Sequence, residues 1–362
     1  MRLSEKTLAA LKGEVPMPPW LWALAPAAGI YSLAARARAG LYRRRIFDVK
    51  RLPCPVISVG NLAPGGTGKT PFVIFLCRLL QEKGYGPAVV TRGYGGALEG
   101  DVMVVSDGRD KKLSAHEAGD EASLLAAVLP GVPVVMGTER YEAGMLAVEK
   151  FKPGVVVLDD GYQHMSLARD LNILLLDASR PFGNGFTLPA GYLREPKNAV
   201  KRADLVVLTR AEDIPGASAA AVKMFAPSAP VITAAHRPGR LYRLDDNSTL
   251  PLATLSETPL LAVSSIAAPA SFTLILQKLN AKIAGVASYP DHHRYTDRDV
   301  SKIKELMTES GARAAVTTEK DAVKLAALGL EGIEVLVLRV ELEILDGAGV
   351  LAGLLEEKVL PD

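Results

Sequence analysis

The sequence predicts an α/β fold, a mostly parallel sheet followed by a second, smaller α/β domain. Three observations predict it. Short apolar runs recur between helical stretches, and they are continuous rather than alternating, the pattern of strands buried on both faces. The first run, Val56-Ile57 and Val59, passes into a glycine-rich loop and then a helix. Beyond a proline-scattered stretch, Pro215 to Pro259, strands and helices alternate again. At 362 residues, 49% of them apolar, the chain has room for one large or two moderate domains with an ample core. A net charge of +2 does not suggest nucleic acid as a partner. Cys54 and Cys77 are isolated and fit core positions in a reducing cytoplasm better than a disulfide framework or a metal site.

The N-terminal stretch is basic and amphipathic. Residues 1–50 hold nine Lys or Arg against three acids, a net +6 that leaves −4 for the rest. No charge falls between Glu14 and Arg36, a gap opened by Pro18-Pro19-Trp20-Leu21-Trp22 and continued by an alanine-rich helix. Trp20, Leu24, Ala28 and Tyr31 share a helical face, and Arg36, Arg38 and Arg43-Arg44-Arg45 follow. Tryptophans at one end and arginines at the other suit an interfacial anchor on an anionic leaflet. Glu5 and Glu14 argue against a signal peptide, and Pro26 with the many alanines against a full span. A helix simply packed on the core is the competing reading.

Residues 56–71 then read strand, glycine loop, helix, the context a phosphate-binding P-loop requires. Gly65, Gly66 and Gly68, with Thr67 between them, let backbone N–H groups turn inward around a phosphate. The helix N-terminus adds partial positive charge, Lys69 reaches the outer phosphates and the Thr70 hydroxyl suits Mg²⁺. Pro71 sits in the first turn, where its missing N–H is no loss. Ala63 stands where the strict motif has glycine. The fold expected is therefore P-loop NTPase-like, with ATP and Mg²⁺ as cofactors.

Further strands are expected at 87–91, 102–105, 133–136, 155–158, 173–176 and 205–208, with helices at 117–127 and 139–151. Val155–Leu158 ends in Asp159-Asp160, a strand-end acid pair suited to Mg²⁺ and its water shell. Gly161-Tyr162-Gln163-His164 follows at the same sheet edge, where ligands bind in open α/β folds. Asp120 begins a helix and, on local evidence, reads first as an N-cap. Arg92-Gly93-Tyr94-Gly95-Gly96 looks like a second phosphate or acceptor loop, while Arg140, Arg194 and Glu195 are charges near strand or loop ends. After a short hairpin near 241–244, strands are expected at 260–264, 285–289, 314–318 and 333–338, and helices at 271–279, 297–310, 321–328 and 349–359. Tyr289-Pro290-Asp291-His292-His293-Arg294-Tyr295 is too polar to bury without purpose, and a carboxylate-oriented histidine for proton transfer explains it better than a metal site.

Taken together these motifs resemble the tetraacyldisaccharide 4′-kinase family. The match runs through Val59-Gly60-Asn61, Thr91-Arg92-Gly93-Tyr94-Gly95, Gly119-Asp120-Glu121, Leu158–His164, Leu193-Arg194-Glu195-Pro196, Asp291-His292-His293 and Thr318-Glu319-Lys320-Asp321, in the family's order and over nearly the whole chain. The resemblance implies ATP-dependent phosphorylation of the 4′-hydroxyl of a tetraacylated glucosamine disaccharide 1-phosphate, at the cytoplasmic face of the inner membrane. It implies that Lys69 and Thr70 hold triphosphate and Mg²⁺, that Asp159 and Asp160 are the acids at the metal, and that Gln163 and His164 lie near both. It turns Asp120 from a cap into the base for the 4′-hydroxyl, assisted by His292 in preference to His293, with Arg92, Tyr94, Arg140, Arg194 and Glu195 handling phosphates or acceptor. The division expected is a membrane-association segment (1–45), a P-loop core (46–235), a linker (236–259) and a smaller domain (260–362) supplying the histidine. The expected partners are the acylated disaccharide and the inner leaflet, with the protein a monomer. The run Ser264–Pro269 lacks the glycines expected where the second domain begins. The rival class is a membrane-associated switch ATPase; such proteins carry an extra lysine before the Gly-Gly pair, where this chain has Pro64.

Overall fold

A computed structural model describes residues 5–212, 216–266 and 269–359. Pro215 of the proline-scattered stretch, and Ala267-Ala268 of the run expected to open the second domain, lie outside them. The first lobe carries strands β1 (Val56–Asn61), β2 (Pro87–Thr91), β3 (Met103–Ser106), β4 (Val134–Met136), β5 (Val155–Asp159), β6 (Leu171–Asp177) and β7 (Leu205–Thr209). β8 (Val231–Arg243) and β9 (Thr249–Leu250) follow, then β10 (Leu260–Ser264), β11 (Ile283–Ser288), β12 (Ala314–Thr318) and β13 (Val335–Asp346).

All thirteen strands join one sheet, in the order β11-β10-β12-β13-β8-β7-β6-β1-β5-β2-β4-β3, with β9 on β8. Every expected strand forms. The continuous apolar runs of β1, β2 and β5 to β7 are buried on both faces or nearly so, as parallel packing between helices demands. The two parallel halves meet at an antiparallel seam between β8 and β13.

That seam replaces the linker expected at 236–259, because residues 236–243 complete β8. Its start pairs with β7 in parallel, through Val231 to Thr233, and its remainder crosses to β13. Pro238 and Gly239 are tolerated because the register shifts opposite them, between Leu338 and Val340. The expected hairpin is present as β8–β9, pairing Leu241 with Leu250. The chain end also crosses the expected boundary. The helix Ala348–Lys358 returns to the first lobe, where Leu351 and Leu355 join the core around Ile57, Ile173 and Leu205.

The N-terminal segment is pinned to the body. Leu21 is buried with Ala10 and Leu11, and Thr187 Oγ1 donates to the Ala28 carbonyl at 2.9 Å. The expected face through Trp20, Leu24, Ala28 and Tyr31 is split. A turn after Trp22 separates the helices Pro19–Trp22 and Ala25–Arg43, and Ala28 faces the core. Trp20, Trp22, Ile30, Tyr31 and Leu33 stay exposed, Ile30 by 72% and Leu33 by 68%. No helix among the described residues is long and apolar enough to cross a membrane.

Candidate active site

The site lies where parallel strands deliver their carboxyl ends, the position at which open α/β sheets bind ligands. β1 ends in Asn61, which is fully buried. Its Nδ2 donates to Thr67 Oγ1 at 2.8 Å, clamping the glycine loop from below. Thr209 Oγ1 donates to the Thr67 carbonyl at 2.9 Å, and Arg210 donates to the Gly66 carbonyl. Gly68 starts the helix Lys69–Glu82 at φ +82°, and a Cβ there would come within 2.9 Å of His236 Nε2. Only glycine satisfies both limits. Burial, reinforced by Arg210, lowers the His236 pKa to about 4, so a neutral ring supports the loop.

β5 carries the acids. Asp159 is buried and accepts from Thr91 Oγ1 at 3.4 Å, while its Oδ1 finds no hydrogen-bond partner. Burial and then the Glu121 charge push its carboxyl up to about 7. Asp160 leaves the strand in a left-handed conformation, φ 53°. Its carboxylate meets Lys69 Nζ at 3.5 Å and Arg194 Nη1 at 3.0 Å. Burial alone would raise Asp160, but Lys69 and then Arg194 outweigh it, holding the carboxyl below the usual range. No group of three or more His, Cys, Asp or Glu among the described residues forms a metal site by itself. An orphaned buried carboxylate oxygen beside a hydroxyl-bearing P-loop is what a hydrated Mg²⁺, completed by phosphate oxygens, requires.

Around these acids, Arg140 is buried, donating to the Gly137 carbonyl at 2.6 Å. Desolvation lowers its pKa and Asp159 partly restores it. Gln163 Nε2 donates to the Asn61 carbonyl at 2.7 Å and to Glu195 Oε2 at 3.3 Å. Glu195 also pairs with Arg202 at 2.6 Å, and so braces Gln163. His164 pairs with Ser166 Oγ at 3.1 Å and is lowered to about 4 by burial, then by Arg140. Arg92 pairs with Glu99 at 3.2 Å, and the exposed Tyr94 ring lies edge-on to His292, centroids 5.5 Å apart.

Asp120 does not cap its helix. Gly119 holds that position, with no side-chain cap, and Asp120 is the first helical residue of Asp120–Val128. Its carboxylate instead faces the second lobe, meeting His292 Nδ1 at 3.4 Å and Lys324 Nζ at 3.5 Å. Burial pushes its carboxyl up, and the His292 hydrogen bond, Lys324 and Lys320 together pull it below the usual range. The expected helix at 117–127 breaks at Gly119 because the Arg92–Gly96 loop packs there, Tyr94 O lying 2.4 Å from where a Cβ would stand. That close packing aims Asp120 at the lobe junction.

The two histidines have different neighbours. His292, at φ 58°, presents Nδ1 to Asp120 and Nε2 to Lys320 Nζ at 3.4 Å. Nε2 also lies 3.7 Å from Asp291 Oδ2, so the ring sits between two carboxylates and the Lys320 ammonium. His293 turns away, pairing with Asp299 Oδ2 at 3.1 Å and stacking on Tyr289 at 4.7 Å. Lys324 was not singled out from sequence. It lies one turn beyond Lys320 on the helix Glu319–Leu325, is almost fully buried, and also pairs with Asp321 at 2.9 Å. Only its spacing from the Thr318–Asp321 motif hinted at it. Asn61, Arg210 and His236, the supports of the P-loop, were given no role either, because they come from three separate strands: the end of β1, the residue after β7 and the middle of β8.

A P-loop with a strand-end acid pair, facing a carboxylate and histidine across a lobe junction, defines a phosphotransferase acting on a hydroxyl acceptor. Comparison with known proteins takes this to a family. The family model LpxK, tetraacyldisaccharide-1-P 4′-kinase, matches residues 20–359. A tetraacyldisaccharide 4′-kinase of Pelobacter propionicus is 48% identical over 326 residues, 90% of this chain and 89% of its own. One of Geobacter sulfurreducens is 47% identical over 337 residues, 93% of each. A crystal structure of LpxK from Aquifex aeolicus in complex with ATP superposes at TM-score 0.78 with 34% identity, covering 94% of this chain and 99% of that one. The chain belongs to the tetraacyldisaccharide 4′-kinase family and is a kinase.

Proposed function

We propose that the protein transfers the γ-phosphoryl group of ATP to the 4′-hydroxyl of a tetraacylated glucosamine disaccharide 1-phosphate, yielding the 1,4′-bisphosphate and ADP. The observation that carries this reading is the Asp120 carboxylate held between His292 and Lys324, on the helix whose second residue, Glu121, is close enough to raise Asp159. Asp120 accepts the hydroxyl proton as the acceptor oxygen bonds to the γ-phosphorus, and the bond from that phosphorus to the bridging oxygen breaks. His292 orients Asp120, and Lys320 and Asp291 hold the ring from its far side. Gly65 to Thr70 cradle the triphosphate. Thr70, Asp159 and Asp160 hold Mg²⁺, which when bound neutralises charge on the phosphate oxygens. Arg92, Arg140 and Arg194 balance the charge that migrates during transfer.

The exposed Trp20, Trp22, Ile30 and Leu33, with the arginines that end the same helix, support attachment to the cytoplasmic face of the inner membrane without a span. The protein acts there as a monomer. The test is ³²P transfer from ATP to a tetraacylated disaccharide 1-phosphate in micelles, wild type against Asp120→Ala. Transfer that collapses in the variant while ATP still binds upholds the reading. Acceptor-independent hydrolysis stimulated by membranes, with no transfer, would replace it with a switch ATPase.

A further inference from the structure

The second lobe also brings strand ends together. β10 and β12 are parallel neighbours; Ser265 follows the end of the first, and the helix Glu319–Leu325 follows the second with Asp321 and Lys324 on one face. Asp321 is fully buried, and both its oxygens have partners. Oδ2 accepts from the Ser265 backbone N–H and from Thr318 Oγ1, each at 2.9 Å. The Ser265 hydroxyl donates to Oδ1, and Lys324 Nζ meets the same oxygen at 2.9 Å.

The Ser265 oxygen also accepts from Lys324 Nζ, at 2.5 Å. One buried hydroxyl therefore bridges the acid and the ammonium. The Tyr295 ring adds a cation–π contact, its centroid 5.3 Å from Nζ.

The fold of this helix does not require the lysine. Asp321 lies in the first turn, where a carboxylate suits the helix dipole, and its N–H is capped by Thr318 Oγ1 at 3.3 Å. A buried ammonium is costly without partners, and part of what it meets lies outside its own lobe. The helix packs on Asp120–Val128, and Nζ reaches to 3.5 Å from Asp120 Oδ2. An ammonium has three donors on a flexible stem and no direction of its own, so its surroundings must fix its place. Three oxygens do so here, from Asp321, Ser265 and Asp120.

Ser265 belongs to the run whose missing glycines set it apart from the family expectation. A glycine there would keep the N–H bond to Asp321 and lose the bridge to Lys324. The hydroxyl is thus an addition of this chain, placed one contact away from the base.

We propose that Ser265 is a positioning residue for phosphoryl transfer, its hydroxyl anchored on Asp321 and setting Lys324 at the place from which the ammonium steadies the Asp120 carboxylate. The inference rests on the reading of Asp120 as the base of a lipid kinase. Asp120 also faces His292 and Lys320, so loosening Lys324 removes part of the positive surroundings of the base and leaves the rest.

The test is a cycle of four full-length proteins: wild type, Ser265→Ala, Lys324→Met/Asp321→Asn, and all three substitutions combined. Alanine removes only the hydroxyl, and the second background exchanges the buried acid together with its cation. Transfer to the lipid acceptor is followed from pH 5 to 9, with urea unfolding as the measure of stability. Ser265→Ala should lower kcat about tenfold, the weight of a hydrogen bond to a charged group, move the acid limb to higher pH and leave the KM for ATP unchanged. In the Lys324→Met/Asp321→Asn background the same substitution should change kcat by less than about twofold, because the group it acts through is gone. Equal losses in both backgrounds, or a lower urea midpoint with the kcat and pH profile of wild type, would overturn the proposal and leave Ser265 a structural residue.

A second readout needs no acceptor. In protein carrying ¹³C-labelled aspartate, the Asp120 carboxyl resonance is assigned by its loss in Asp120→Asn. It should titrate at higher pH in Ser265→Ala than in wild type, and coincident curves would also overturn the proposal. Wild type that transfers nothing to the lipid, while this resonance still shifts in Ser265→Ala, would refute the lipid-kinase reading and leave the Ser265–Lys324 bridge standing.

Discussion

Replacing Lys324 by Met should shift the pH at which the enzyme loses activity. The ammonium lies 3.5 Å from Asp120 Oδ2, with both side chains largely buried, at 7% and 15% exposed. Two unit charges at that separation attract by about 4–5 kcal/mol at an effective dielectric near 20, an upper limit because His292 and Lys320 remain. Part of the depression of the Asp120 carboxyl is therefore lost in the variant. Opposite charges favour the carboxylate, so removing Lys324 raises the pKa of Asp120. The ionised base is the active form. The acid limb of kcat/KM should move to higher pH relative to wild type, with the rate recovering as pH rises further.

Met also leaves Asp321 buried without its cation, with hydrogen bonds from Ser265 and Thr318. Breaking such a pair costs about 3–5 kcal/mol. The companion Lys324→Met/Asp321→Asn removes that unpaired charge and keeps the experiment interpretable if the single variant unfolds. The assay is acceptor phosphorylation from pH 5 to 9, with folding checked by circular dichroism. A folded double variant whose acid limb coincides with that of wild type would refute the claim that Lys324 sets the state of the base.

Three further outcomes follow from particular contacts. His292→Asn should lower kcat by about 10²-fold or more, the weight of general acid–base assistance; His293→Asn should spare kcat and cost about 1 kcal/mol of stability through its lost Asp299 hydrogen bond, measured by urea unfolding. Gly68→Ala should weaken ATP binding about tenfold or more, because the left-handed turn and the 2.9 Å approach of His236 Nε2 both resist a Cβ; unchanged ATP titration would contradict the loop geometry. Ile30→Ser/Leu33→Ser should weaken vesicle co-sedimentation about tenfold or more, since burying one such side chain is worth about 1.5–3 kcal/mol, and equal sedimentation would place the membrane contact elsewhere.

The first lobe was legible because its strands obey a local rule. A run such as Val155–Leu158 is buried on both faces, so hydrophobicity alone marks it, and the chemistry sits at its end. The seam was not legible, because β8 draws most of its partners from β13, about a hundred residues later in the chain, and carries Pro238 and Gly239 in mid-strand. Asp120 shows the limit from the other side. Before a helix an aspartate reads as a cap, and only the packing of Gly119 under Tyr94 turns it toward His292. The P-loop itself needed no tertiary information, since glycine, lysine and threonine in a strand–helix turn state their purpose locally. Its supports, Arg210 and His236, are visible only in three dimensions.

The division of labour between the lobes has a chemical consequence. Asp120 belongs to the first lobe, while His292, Lys320 and Lys324, which lower its pKa and orient it, all belong to the second. The proposed base is thus a property of the junction and not of either lobe. The antiparallel seam holds that junction through a continuous sheet, and Arg294 adds a direct bond to the Gly95 carbonyl at 2.7 Å. Any motion that parts the lobes removes the histidine and both lysines from Asp120 together, and with them the packing that buries it. A kinase so built carries the proposed base in its oriented position only when the lobes meet over the acceptor, which withholds general-base help from water while ATP is bound alone.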